Sequence, residues 1–190
     1  MLKLYHCDIS KMSDDEFIKF CYGEKGTTSE KMQKLNKKRA KKLSVAAGAL
    51  VRSAIAEEFN IDKDAIRFRR DKKGKPYTES AKVEFSISHS KSIAVCAISD
   101  RPVGIDIEKM RDVNFNVAKK LFTPDEQKYV FQIKKFQKQR FFEVWTRKEA
   151  YVKLLGYGIP YFPKFSVMKN ENIETYVKKH YILSVARKAK

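Results

Sequence analysis

Residues 103 to 109, VGIDIEK, alternate apolar and acidic side chains, and a second segment, FFEVWTRKEAYVKLLG at residues 141 to 156, repeats with helical spacing. In an extended strand Val103, Ile105 and Ile107 share one face, so Asp106 and Glu108 project together from the other. On a helix Trp145, Glu149 and Lys153 form one stripe, beside a stripe of Phe141, Val144, Tyr151 and Leu155 suited to core packing. Gly156 follows at once, a residue able to adopt the left-handed conformation that closes a helix. Where this strand and helix meet, three carboxylates and two lysines gather at one site.

Carboxylates crowded together repel, and burial without compensation protonates one of them, so their convergence makes physical sense around a cation. Magnesium suits them best, because it prefers hard oxygen ligands, keeps some water and completes its shell with substrate phosphates. No calcium-loop run of alternating acidic residues exists, and the three His and three Cys are scattered, which disfavours zinc. Spacing alone leaves a second reading open. Asp106 and Glu108 can be solvated residues on a half-exposed strand, and Glu149 with Lys153 an ordinary helical ion pair.

The two motifs, VGIDIE and WTRKEAYVK, resemble the signature of the 4'-phosphopantetheinyl transferases, of the two-lobed surfactin-synthetase-activator type. Similarity continues in order through LVRS at residues 50 to 53, AIRF at 65 to 68, GKPY at 74 to 77 and FSISHS at 85 to 90. The resemblance implies transfer of the phosphopantetheine arm of coenzyme A to a serine hydroxyl of an acyl or peptidyl carrier protein, with release of adenosine 3',5'-bisphosphate. It implies that Asp106, Glu108 and Glu149 hold Mg²⁺. Glu149 is then the general base, directly or through water, and Lys153 steadies the leaving bisphosphate. Lys148, turned about 100 degrees from Glu149 on the helix, is expected to support either the ligand or the fold.

The remaining contacts also follow from the resemblance. Gly74, Lys75 and Pro76, which read as a turn, are expected at the adenine end of coenzyme A, and Ser88 with His89 at a phosphate. Lys31 and Lys42 are the candidates for the 3'-phosphate. Here the chain departs from the family pattern, with Thr28 where a lysine is frequent and Leu43 where an arginine is frequent; Lys34, Arg39 or Lys41 are possible substitutes.

The fold expected is α+β: two similar lobes related by a pseudo-twofold axis, residues 1–100 and 101–190, with the ligand site at their junction and Ser99-Asp100-Arg101-Pro102 as the connecting turn. Helices are expected at 36–59, 114–122, 124–133 and 137–155, with a capping box from Ser13 to Glu16 opening an earlier one. Strands are expected at 2–9, 65–69, 83–99 as a hairpin, 103–109, 165–169, 173–178 and 181–187.

No stretch is long and apolar enough for a membrane span, no secretory h-region opens the chain, and Cys7, Cys21 and Cys96 form neither a disulfide framework nor a metal knuckle. A cytoplasmic, monomeric protein is expected, binding neither membrane nor nucleic acid. The net charge of +18 suits the phosphates of coenzyme A and an acidic carrier protein. Two rivals share some of these features. A magnesium-dependent phosphodiesterase or nuclease uses the same carboxylates, and a non-catalytic basic RNA-binding module uses the same charge.

Overall fold

The computed structural model describes residues 1–23, 39–157 and 162–189. Thr28, Lys31 and Lys34 lie outside them. The chain opens with β1 (Leu2–Asp8) and α1 (Asp14–Tyr22). Ser13 Oγ accepts from Glu16 N at 3.2 Å and Glu16 Oε2 accepts from Ser13 N at 2.7 Å, which is the expected capping box. The long helix α2 (Arg39–Phe59) follows, then a short hairpin of β2 (Phe68–Arg70) and β3 (Pro76–Thr78). Next come β4 (Glu84–Ser90), β5 (Ile93–Ser99) and β6 (Val103–Lys109). Helices α3 (Asn116–Leu121), α4 (Pro124–Phe131) and α5 (Gln137–Leu154) lead to β7 (Ile173–Val177) and β8 (Tyr181–Arg187).

The mixed composition is α+β, with helices packed on antiparallel sheets. One sheet has the order β1-β5-β4 and the other β6-β8-β7. In the first half, α2 buries Ala46, Ala47, Leu50, Ala54 and Ile55 against Phe85, Ala94, Cys96 and Ile98 of β4 and β5. In the second, Ala150 of α5 packs with Ile173 and Ala186 of β7 and β8. The opposite face of β5 meets β6 through Val95, Ala97, Val103, Ile105 and Ile107. The apolar parity of VGIDIEK therefore forms a core between the halves, as alternation requires of a strand with one face in the interior.

Side chains join the sheets at the β4–β6 boundary. Ser86, Ser88 and Ser90 Oγ accept from the backbone N–H of Ile105, Ile107 and Lys109 at 3.1, 3.4 and 3.0 Å. The constant offset means that β4 and β6 run parallel, with hydroxyls standing where a ladder's carbonyls would be.

The strand expected at 165–169 does not form. Carbonyls in that stretch accept from two α5 side chains instead. Arg147 donates to the carbonyls of Val167, Met168, Asn170 and Ile173, and Lys148 Nζ to Pro163 O at 2.7 Å and Phe165 O at 3.3 Å. With its acceptors taken this way, the segment is held as bends and turns.

Candidate active site

Gly104, Asp106 and Glu108 share the face of β6 that looks toward α5. A Cβ at position 104 would lie 2.0 Å from Ala150 O and 2.4 Å from Leu154 N, so only glycine lets the helix approach this closely. The approach brings the polar stripe of α5 onto the acidic parity of β6. Lys153 Nζ donates to Asp106 Oδ1 at 2.8 Å and to Ser88 Oγ at 2.9 Å, and Ser88 Oγ donates to the same Asp106 oxygen at 2.8 Å. Lys153 thus reaches across to the strand, in contrast to the helical Glu149–Lys153 pair that spacing allowed.

Two oxygens here have no partner. Asp106 Oδ2 and Glu149 Oε1 are buried without a hydrogen bond. Burial raises the carboxyl of Asp106 above its ordinary range, against the pull of Lys153 and Ser88. Glu149 is pushed up to about 7, first by burial and then by the charge of Asp106, with Lys153 opposing. Glu108 is held differently: its Oε2 accepts from Ser90 Oγ at 2.9 Å and from Arg111 Nη1 at 2.7 Å. Each carboxylate therefore has its own compensation, Lys153 for Asp106, Arg111 for Glu108 and a readily retained proton for Glu149.

These groups open on a cleft of about 400 Å³ lined by Ser44 and Ala47 of α2, Ile87, Ser88 and His89 of β4, Asp106, and Glu149, Val152 and Lys153 of α5. A second cavity of about 240 Å³ shares Ile87, Lys153 and Tyr157 with it and runs to Lys73, Gly74, Lys75 and Pro76. The result is one groove from the hairpin turn to the carboxylates.

Comparison with known families accounts for both halves of this groove. Residues 13–101 match the family model "4'-phosphopantetheinyl transferase, N-terminal", and residues 102–187 match "4'-phosphopantetheinyl transferase superfamily". The chain belongs to the 4'-phosphopantetheinyl transferases. Among its relatives, 4'-phosphopantetheinyl transferase Sfp of Bacillus subtilis is 31% identical over 153 residues, covering 80% of this chain and 67% of Sfp. The gsp transferase of Aneurinibacillus migulanus is 38% identical over 133 residues, 67% of this chain and 54% of gsp. HetI of Nostoc sp. is 34% identical over 123 residues, 60% of this chain and 52% of HetI. The chain thus spans between about half and two thirds of the length of these relatives.

Most of the expected site residues line this groove. Asp106, Glu149, Lys153, Ser88 and His89 meet at one cleft, and Gly74, Lys75 and Pro76 line the adjoining cavity. His89 lies on the exposed rim, whereas Ser88 is buried and committed to Asp106 and Lys153. Lys75 Nζ donates to Val103 O at 3.2 Å, and burial lowers its pKa. Lys42 points elsewhere, with Nζ 3.1 Å from Asp14 Oδ1 and over the Phe17 ring. Leu43 is a core residue, so an arginine there would have to leave the interior. Lys31 lies outside the described residues.

Lys148 supports the fold. It is fully buried, with Nζ 3.0 Å from Glu126 Oε2, and Glu126 also accepts from Thr123 N and Val167 N. Sequence reasoning passed over Ser86, Ser90, Gly104, Arg111 and Arg147. The alternating serines of β4, at the same spacing as the acidic parity of β6, were the available signal for the first two.

The residues suit a hard divalent cation in one respect, since Asp106 Oδ2 and Glu149 Oε1 are buried acceptors lacking a donor. Among the described residues, however, no three acidic, His or Cys side chains stand as a ready-made metal cage. Glu108, the third expected ligand, is turned onto Ser90 and Arg111.

Proposed function

We propose that this protein transfers the 4'-phosphopantetheine moiety of coenzyme A to a serine hydroxyl of an apo acyl or peptidyl carrier protein and releases adenosine 3',5'-bisphosphate, with Mg²⁺ as cofactor. One observation carries the reading: two buried carboxylate oxygens without donors, beside a lysine, line a groove in a chain of this family.

Phosphoryl transfer asks mainly for positioning, charge neutralisation and a proton acceptor. Glu149, directly or through water, takes the proton of the attacking serine hydroxyl. Lys153 faces the diphosphate and stabilises the charge that develops on the leaving bisphosphate. Ser88 and Asp106 fix the Lys153 ammonium by hydrogen bonds, so it need not reorganise during the step. Gly74, Lys75 and Pro76 receive the adenine end, and His89 on the rim meets a phosphate. Asp106 and Glu149, with Glu108 as the third ligand, would hold Mg²⁺, which would supply Lewis-acid neutralisation of the diphosphate. Residues 1–100 and 101–190 form two pseudo-symmetric lobes in this reading. Its support is that each half sets a long helix against a three-stranded sheet, and that the two family models meet between residues 101 and 102.

The test is to incubate the protein with coenzyme A, Mg²⁺ and an apo carrier and to weigh the carrier. A mass gain equal to phosphopantetheine is expected. No gain with any of several carriers, from a folded protein, overturns the reading. Asp106→Ala and Glu149→Gln should each abolish transfer while circular dichroism stays unchanged; near-normal turnover in either discards the metal and base assignments.

A further inference from the structure

Arg111 stands three residues beyond Glu108, just after β6 ends. Its guanidinium donates to Glu108 Oε2 at 2.7 Å and to Lys109 O at 3.3 Å, and lies 5.6 Å from the centre of the Phe142 ring. Ser90 Oγ donates to the same carboxylate oxygen at 2.9 Å. Glu108 Oε2 is therefore taken up by two donors, whereas Asp106 Oδ2 and Glu149 Oε1, close enough to feel its charge, have none. The grip is also breakable: the Arg111 side chain is 52% exposed and that of Glu108 21%, and exposed ion pairs hold weakly.

We propose that Arg111 is a latch on Glu108, a positioning residue that sets the affinity of the site for a divalent cation by withholding its third carboxylate. The proposal rests on the metal-dependent reading above. While Arg111 holds Glu108, a cation entering the cleft finds two carboxylates; once the ion pair parts, the strand's shared parity allows Glu108 to turn toward the same ion. Arg111 acts through Glu108 alone. A lysine in its place keeps the charge and the ion pair, and a glutamine removes both.

The experiment is calorimetric titration of the full chain with MgCl₂ or MnCl₂, without coenzyme A or carrier, with circular dichroism confirming the fold of each variant. Arg111→Gln is expected to tighten binding about fivefold, and Arg111→Lys to stay within about twofold of wild type. In a Glu108→Gln background Arg111→Gln is expected to bring no gain. Equal or weaker binding by Arg111→Gln overturns the latch and leaves the metal reading standing, as does a gain that persists without Glu108. Binding of no divalent ion by any variant overturns the latch.

Discussion

Glu149 has its carboxyl lifted from an ordinary 4.5 to about 7, and this shift has a consequence for stability. A raised carboxylate favours the protonated folded state, so its contribution is fully present below the unfolded pKa and is lost as pH rises through the folded one. The metal-free protein is therefore expected to melt roughly 5 °C lower at about pH 8 than at about pH 5.5 on account of this residue. Differential scanning calorimetry of wild type against Glu149→Gln isolates that share; equal pH slopes in the two would remove Glu149 as its source. The residues themselves were legible in the sequence, because alternation in VGIDIEK and helical spacing in WTRKEAYVK are local properties. Their partners were not. Spacing offered Lys153 to Glu149, yet the ammonium lies on Asp106, since which strand a helix crosses is a tertiary fact that a helical period does not contain.

Among elements, the distance between β6 and α5 decides whether the site exists, and Gly104 sets that distance. Gly104→Ala is expected to force the helix outward and to cost about 3 kcal/mol or more. Soluble protein should fall or melt early, and any folded fraction should have lost transfer. Wild-type melting and activity would show that the two elements do not need this contact. The buried Glu126–Lys148 pair pins the 162–168 segment to α4 and α5. Glu126→Gln leaves Lys148 without its carboxylate and is expected to cost about 3 kcal/mol, or about 8 °C, read by thermal denaturation. The helices were readable from caps, proline at the first turn of α4 and periodicity. The false strand at 165–169 has a clear physical origin: the carbonyls it would have offered a ladder are taken by Arg147 and Lys148, which lie about twenty residues upstream.

Over the whole molecule, the excess of 41 Lys and Arg over 23 Asp and Glu gives a field that attracts anionic partners. With an acidic carrier, kcat/KM is expected to fall about tenfold between roughly 50 and 500 mM salt while kcat changes little. A salt-independent kcat/KM would mean that the charge serves another purpose. The α+β class was legible from the order of elements. How the halves join was not, because Ser86, Ser88 and Ser90 look like an ordinary wet strand face until β6 is set beside them. Their hydroxyls make this junction editable. Here three alanine codons would strip the acceptors from Ile105, Ile107 and Lys109 and leave the apolar contact between β5 and β6 to carry more of the join.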